Sequence, residues 1–419
     1  MGIVRSKEFK RKMRSSALVL QGVSLCKYCQ KRLGLKTGEE ADAENSCYIC
    51  GGIMTIAKSI SEEILQKLGD YEYDTFLIGA SLPHTILDNE DEVRSRFKIK
   101  GRDSIKSQIT KLLSQKVRQQ TGKSINYSKP DITILVSPTD RQITFNLRSI
   151  WLSGSYNKLK RGFPQRSSVC AICNGLGCAE CGYRGRTVDS VQAKITEFLT
   201  GAFSAEGCNF VWLGSEDENS LVGGSGRPFY VEITKPKKRS VLNEKYLAQK
   251  SNGSRKTIFF KSKEIQLKDL QQLDHRVTEV PHFEIIAKIN LRIKPGSPAL
   301  EPSQIELIED EFVRVRASVR LSRKFRTVQK EIRSVSCFSS NNGEVIELKV
   351  HCDGGIPIKK LVTGQDDTVR PNLARYLSSY EIDQERPFDI TGVKIKDEQV
   401  SRPKSSGNFD SALNDQDYE

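Results

Sequence analysis

Residues 214–229 have the sequence GSEDENSLVGGSGRPF and separate two apolar runs, 210–213 and 229–233. Such runs predict β-strands, and the glycine-rich, acidic segment between them predicts a loop. Loops held between rigid strands commonly carry functional groups. Glu216 and Asp217 are therefore candidate functional carboxylates, although an isolated segment of this kind is more often an acidic surface turn. The rest of the chain favours the functional interpretation.

The charge balance indicates a polyanionic partner. The 419 residues include 66 Lys and Arg against 52 Asp and Glu, a net charge of +14, and the pI is about 9.2. Nucleic acid is the first expectation and an anionic membrane surface the second. No apolar run approaches the ~20 residues that span a bilayer, and residues 1–16 lack a signal-peptide core. We expect a soluble, cytoplasmic protein without a membrane partner.

Cysteine spacing predicts two metal sites. Eight of the 11 cysteines form CxxC pairs, and two such pairs provide the four thiolates of a tetrahedral zinc site. Each set is closed, with no position left for water, so both sites are expected to be structural. The predicted zinc ligands are Cys26, Cys29, Cys47, Cys50, Cys170, Cys173, Cys178 and Cys181. The remaining three cysteines are expected to be small core residues.

Hydrophobic periodicity predicts an α/β protein. Residues 55–165 combine helical spacing, as at 56–68, with two alternating strands joined by SPTDR, a hairpin signal. Basic segments at 98–102 and 158–161 bracket this part. A helix beginning near Asp189 and several later strands predict a second α/β part.

The order of five motifs resembles the archaeal-type tRNA pseudouridine synthases of the Pus-ten family. The motifs are LCKYC, CYICGG, SGSYNKLKRGFPQ, CxxCxGxGCxxC and GxEDxxxxxxGxGRPF, and the resemblance covers roughly residues 20–395. It implies a zinc-bearing, THUMP-like RNA-binding part joined to a pseudouridine synthase catalytic domain. It also implies tRNA as partner, uridine isomerisation at T-arm positions fifty-four and fifty-five, and no cofactor for the reaction. We expect a monomer.

The resemblance gives the predicted domains their identities. They are a basic arm (1–15), an N-terminal zinc knuckle (16–54), a THUMP-like RNA-binding domain (55–165), a second zinc knuckle (166–187), a mixed-sheet pseudouridine synthase catalytic domain (188–399) and a disordered tail (400–419).

The resemblance also implies the catalytic residues. Asp217 matches the catalytic aspartate of the family loop, which departs from the family pattern at Ser215, Asn219 and Leu221. GGIPIKK places the basic partner of that aspartate at Lys359. Glu216 is expected to point away along the loop, so Glu216→Gln should reduce turnover much less than Asp217→Asn.

Substrate-binding residues are also predicted. RKFRTV places the aromatic ring that stacks on the target base at Phe325. Without the resemblance, a core phenylalanine there and a surface lysine at 359 are equally plausible. The other predicted substrate-binding residues are Arg227, Lys235, Lys237, Lys238 and Arg239.

A second function class stays open. A non-catalytic, zinc-dependent tRNA- or RNA-binding protein derived from the same family would use the same zinc and basic surfaces, and the altered loop is its best support. A THUMP-bearing methyltransferase or thiolation enzyme is less favoured. No GxGxG-type cofactor loop follows a strand, and GGSGRPF lacks the Lys-Ser/Thr of a phosphate loop.

Overall fold

The computed structural model describes residues 23–35, 47–240, 258–264, 283–321, 326–340 and 343–395. The predicted basic arm, the predicted tail and Phe325 lie outside the described residues. None of the described helices is long and apolar enough to cross a membrane. Mixed helices and sheets confirm the predicted α/β class.

Two compact units make up the chain. The first contains the described parts of 1–156, 163–212 and 229–266, and the second contains those of 157–162, 213–228 and 267–419.

The first unit begins with helices packed on a four-stranded sheet. Strand β1 lies between β2 and β3 and is parallel to both, whereas β4 is antiparallel to β3. Alternate residues of β1, such as Phe76 and Ile78, are buried, as the period of two predicts. The elements are α1 (Lys27–Leu33), α2 (Ile53–Leu68), β1 (Thr75–Ala80), α3 (His84–Arg96), α4 (Ile105–Thr121), β2 (Ser124–Ile125), β3 (Ile132–Ser137) and β4 (Gln142–Leu147).

Later residues of the first unit form a second group of elements. A 3₁₀ turn at Ala179–Cys181 lies in the predicted second knuckle. The Ser190 side chain accepts a hydrogen bond from Ala193 N–H and caps the next helix, as Ser commonly does. The elements are residues 150–156 of β5 (Ile150–Lys158), α5 (Val191–Phe203), β6 (Gly207–Trp212), residues 229–234 of β7 (Val222–Thr234) and β8 (Ile258–Glu264). Strand β6 pairs antiparallel with residues 229–234 of β7.

The second unit is built on a mostly antiparallel sheet with the strand order β13-β10-β11-β12-β9-β15. β14 also pairs with β9, and Ile390 of β15 pairs in parallel with Val222 at the start of β7. The elements are β9 (Phe283–Ile293), α6 (Pro302–Glu311), β10 (Val315–Leu321), β11 (Arg326–Ser340), β12 (Val345–Asp353), α7 (Ile358–Thr363), β13 (Val369–Arg370), β14 (Tyr380–Ile382) and β15 (Phe388–Ile395).

Candidate active site and metal centres

The loop 214–221 needs glycine at its two flanks. Gly214 and Gly224 have φ of 82° and 58°, in the left-handed region that favours glycine. A Cβ on Gly224 would lie 2.1 Å from the Thr391 carbonyl oxygen, and one on Gly214 would lie 2.6 Å from the Arg227 guanidinium. The glycines therefore let the loop backbone approach its supports closely.

Asp217 and Lys359 form an ion pair in the second unit. Lys359 Nζ lies 2.5 Å from Asp217 Oδ2, although 142 positions separate the two residues in the chain. The Asn219 N–H donates to the other carboxylate oxygen, Oδ1, at 3.0 Å. The two side chains keep 28% and 45% of their surface exposed, so the pair is open to an incoming group. The structure thus brings together the two predicted catalytic residues.

The surroundings of Asp217 keep its carboxylate ionised. Partial burial alone would raise the pKa of Asp217, but the hydrogen bonds from Lys359 and Asn219 and the nearby charges of Lys359 and Lys158 outweigh it. The pKa of Asp217 is therefore lowered. An ionised carboxylate at this position can act as a nucleophile or as a base.

Removing Lys359 should shift the pH dependence of any reaction that needs ionised Asp217. In Lys359→Met the carboxyl loses its main stabilising partner, so its pKa rises and the acid limb of kcat/KM moves to higher pH. Lys360→Met is the matched control, because Lys360 pairs with Asp366 at 2.9 Å. An acid limb at the same pH in Lys359→Met and in the unaltered protein would show that Lys359 does not control the ionisation of Asp217.

Glu216, next to Asp217, is buried between two cations. Its Oε1 lies 3.2 Å from Lys158 Nζ and its Oε2 lies 3.2 Å from Arg227 Nε. The side chains of Glu216 and Lys158 have no exposed surface, and that of Arg227 is 1% exposed. The carboxylate thus neutralises two buried charges, so Glu216→Gln is expected to cost stability. Its milder effect on turnover stays a prediction.

Lys158 and Arg227 also hold the loop backbone. The Lys158 ammonium donates to the carbonyl oxygens of Asp217 and Glu218 at 3.0 and 3.1 Å. The Arg227 guanidinium donates to those of Leu213 and Ser215 at 2.8 and 3.2 Å. Burial lowers the pKa of Lys158 despite the neighbouring Glu216 carboxylate. Arg227, predicted to bind substrate, is thus a buried support of the loop, and substrate binding by it stays a prediction.

A second clamp holds the end of the loop. Arg161 pairs with Asp389 through two hydrogen bonds of 2.7 Å and donates a third to the Asn219 carbonyl at 2.5 Å. Asp389 also accepts from the Leu221 N–H at 2.9 Å, and the Asn219 side chain accepts from the Gly162 N–H at 3.1 Å. Asn219 and Leu221, two of the three departures from the family pattern, therefore keep defined contacts here.

The predicted basic cluster makes contacts within the first unit. Lys235 pairs with Glu206 at 2.6 Å, and the Lys237 ammonium lies 5.6 Å from the centre of the Tyr71 ring. The Lys238 N–H donates to a carbonyl of α5 at 3.0 Å. The guanidinium of Arg239 is 15% exposed and lies 3.7 Å from Asp131. Asp217 belongs to the other unit, and a role of this cluster in substrate binding stays a prediction.

The eight CxxC cysteines form the two predicted clusters. Within each cluster all four Sγ atoms lie within 4.8 Å of one another. Tetrahedral zinc with Zn–S bonds of about 2.3 Å separates its sulfurs by about 3.8 Å. The Sγ atoms of Cys26 and Cys50 are 3.7 Å apart, and those of Cys173 and Cys181 are 3.8 Å apart. Both clusters therefore fit a metal ion held by four thiolates.

Backbone groups of the second cluster add to this fit. The Gly177 N–H donates to Cys173 Sγ, and the Gly185 N–H donates to Cys181 Sγ, each at 3.2 Å. Hydrogen bonds to an ionised group favour its charged form, and metal ligation requires the thiolate. Among the described residues all cysteines are free thiols, so no disulfide competes with metal binding.

This geometry defines an α/β protein with two cysteine clusters that could each hold a metal ion and a carboxylate–ammonium pair at its candidate active site. The family model described as Pus10, C-terminal, matches residues 151–393, and that described as Pus10 THUMP domain, archaeal, matches residues 60–137. The chain therefore belongs to the Pus10 family, which confirms the resemblance seen in the sequence. The C-terminal match includes Asp217, Lys359 and the second cysteine cluster.

Curated relatives of similar length carry the same family name. The tRNA pseudouridine synthase Pus10 of Cenarchaeum symbiosum is 29% identical, over 84% of this chain and 82% of the relative. That of Nitrosopumilus maritimus is 29% identical, over 86% and 92%. That of Methanothrix thermoacetophila is 27% identical, over 84% and 77%. The prediction of an enzyme family is thereby confirmed.

Proposed function

We propose that this chain is a tRNA pseudouridine synthase that isomerises uridine in the T-arm and uses Asp217 as its catalytic carboxylate. The observation that carries the proposal is the Asp217–Lys359 pair, on the family loop and inside the C-terminal family match. The names of the curated relatives support tRNA as the substrate. The T-arm positions, fifty-four and fifty-five, rest on the family resemblance alone.

The reaction suits the chemistry of this site. The C1′–N1 glycosidic bond of uridine breaks, the uracil turns and a C1′–C5 bond forms. The proton on C5 passes to water and N1 takes up a proton, so the product is an isomer and no redox change occurs. The Asp217 carboxylate has two possible roles, attack on C1′ or removal of the 2′ proton. Lys359 keeps the carboxylate ionised until the substrate arrives. Both roles require a charged, accessible carboxylate, which the exposed face of Asp217 provides.

The other parts have supporting roles in this proposal. The THUMP-like domain binds tRNA, and the catalytic domain holds the target uridine. Phe325 would stack on a base that has left its helix, which is worth about 1–3 kcal/mol per base. The two cysteine clusters hold zinc ions that stabilise their knuckles and take no part in the reaction.

Chemical mapping of pseudouridine tests the proposed function. Purified protein incubated with a T-arm-containing tRNA transcript should produce pseudouridine there, and a transcript with cytidine at those positions should yield none. With uridine tritiated at C5, tritium release to water should equal the pseudouridine formed. Tight tRNA binding without product would instead support the RNA-binding alternative, whose sequence support is the loop altered at Ser215, Asn219 and Leu221.

Metal analysis tests the zinc assignment. Two zinc equivalents per chain are expected, and Cys173→Ser should lower zinc content toward one and reduce folded yield before chemistry is affected. Structural zinc contributes about 10–16 kcal/mol in model peptides, so its loss exceeds what a small knuckle tolerates. Cys208→Ser is the matched control, because Cys208 lies outside both clusters. A folded, active protein without zinc would contradict the assignment.

A further inference from the structure

The second knuckle, residues 166–187, exposes large apolar side chains. The exposed fractions are 71% for Ile172, 93% for Leu176 and 79% for Tyr183. Because the cysteine cluster occupies its interior, so small a knuckle has no apolar core for these side chains. A group of exposed apolar residues on a folded protein commonly marks a contact surface.

Close backbone packing gathers this group at one tip. Leu176 lies between Gly175 and Gly177, both with φ of 94°. A Cβ on Gly177 would meet the Tyr183 carbonyl at 2.8 Å, and one on Gly175 would lie 3.7 Å from Val169, which is 56% exposed. The backbone therefore holds exposed Val169, Leu176 and Tyr183 close together at one part of the knuckle, the knuckle tip.

A polar cleft adjoins this tip within the first unit. Arg184 directly follows Tyr183, Arg186 comes two positions later, and both line a cleft of about 650 Å³. Polar residues of α5 and β6, including Thr196 and Asn209, and the Phe210 ring form its other walls. Arg184 lies 3.9 Å from Glu197, and both side chains are at least 50% exposed, so solvent and salt weaken this pair.

The acidic residue of the cleft lining is already paired. Glu206 lines the cleft, and its carboxylate lies 2.6 Å from the Lys235 ammonium. Lys235 therefore balances the one carboxylate of the lining, and Arg184 and Arg186 give the cleft a net positive charge. This arrangement favours an anionic ligand, and the adjoining aromatic tip favours one with flat, apolar faces.

We propose that the knuckle tip and this cleft bind an unpaired segment of RNA. Tyr183 and Leu176 contact bases, and Arg184 and Arg186 contact phosphates in the cleft. Unpaired bases offer flat faces that stack on an aromatic ring regardless of sequence, while guanidinium groups match phosphate geometry. That the RNA is an unpaired segment of tRNA rests on the proposed function. The surface lies in the first unit and is separate from the Asp217 loop.

Salt-dependent binding of a tRNA transcript separates the two kinds of contact. Arg184→Ala combined with Arg186→Ala should weaken affinity roughly tenfold or more at physiological salt. The slope of log affinity against log salt should become shallower by about 1.4, since each phosphate contact to a single strand contributes about 0.7. Tyr183→Ser should weaken affinity roughly tenfold with no change of slope, because stacking releases no counterions.

Glu180→Gln is the matched control on the same knuckle. It removes an exposed negative charge, so affinity should stay the same or rise slightly. Every variant should retain two zinc equivalents, which shows that the knuckle is folded. Unchanged affinity and slope in the arginine and tyrosine variants would overturn the proposal. That result would fit a surface that binds a protein and not RNA. Binding is measured without turnover, so an unaltered protein that binds tRNA but yields no pseudouridine refutes only the proposed function.

Discussion

Asp217→Asn is expected to reduce pseudouridine formation to background while the protein still folds and binds tRNA. The amide has nearly the same shape, and its oxygen can still accept the hydrogen bond from the Asn219 N–H. It neither attacks C1′ nor takes a proton at neutral pH. Lys359 loses its ionic partner but is 45% exposed, so water solvates it and stability changes little. The measurement is pseudouridine yield on a T-arm transcript, with circular dichroism and tRNA affinity alongside.

Two companion variants sharpen this test. Glu218→Gln changes an exposed carboxylate on the same loop and should leave the yield unchanged. Ser215→Arg should hold or raise the yield, because the Ser215 carbonyl that accepts from Arg227 is kept in this variant. Equal yields from the unaltered protein and Asp217→Asn would show that the carboxylate is not catalytic. Binding without product in both would favour the RNA-binding alternative.

Local chemistry makes the cysteine clusters and the strand–loop–strand around residue 217 predictable. Four thiolates at CxxC spacing have few structural uses in a reducing environment. The alternation on either side of the loop specifies strands, as β6 and β7 confirm. The partner of Asp217 cannot be predicted from local sequence in this way. Lys359 is 142 positions away, and only the family resemblance indicated it.

The residues that support the loop could not be fully predicted from the sequence. The segment KLKRG, residues 158–162, has the composition of a solvated basic run, yet Lys158 is fully buried and the neighbouring Leu159 is 53% exposed. Strand β5 decides this, because its period of two places Lys158 on the same face as buried Tyr156. That alternation was the available signal. The partner carboxylate is distant in sequence, so no local pattern revealed it.

Helix α3 was missed for a related reason. Residues 88–92 have the sequence DNEDE, which weakens an apolar stripe. The structure buries Glu90, which forms an ion pair with Arg32 and accepts a hydrogen bond from the Ile105 N–H at 2.9 Å. The ion pair and hydrogen bond of Glu90 thus allow this acidic helix to pack on the protein, although its apolar stripe is weak. Sequence periodicity cannot detect such a partner 58 positions away.

Glu216→Gln is expected to destabilise the fold by about 3–5 kcal/mol, the usual cost of leaving a buried charge without its partner. The substitution leaves the Lys158 ammonium and the Arg227 guanidinium side by side without the carboxylate between them. The matched control Glu218→Gln alters an exposed acid two residues away and should stay within about 0.5 kcal/mol. Urea denaturation of both variants measures the difference.

Combining Glu216→Gln with Lys158→Met should recover part of the lost stability, because the double variant removes one negative and one positive charge. The sum of the single losses should exceed the loss in the double variant by about 1–3 kcal/mol.

The pH dependence gives an independent check. Burial holds the pKa of Lys158 below its unfolded value, so the folded state binds fewer protons at alkaline pH and its stability rises as pH increases toward the ordinary lysine pKa. Without Glu216 that pKa falls further, so the Glu216→Gln deficit should shrink between pH 7 and pH 9. A deficit that matches Glu218→Gln, or that is independent of pH, would mean that the buried carboxylate does not hold these two cations in place.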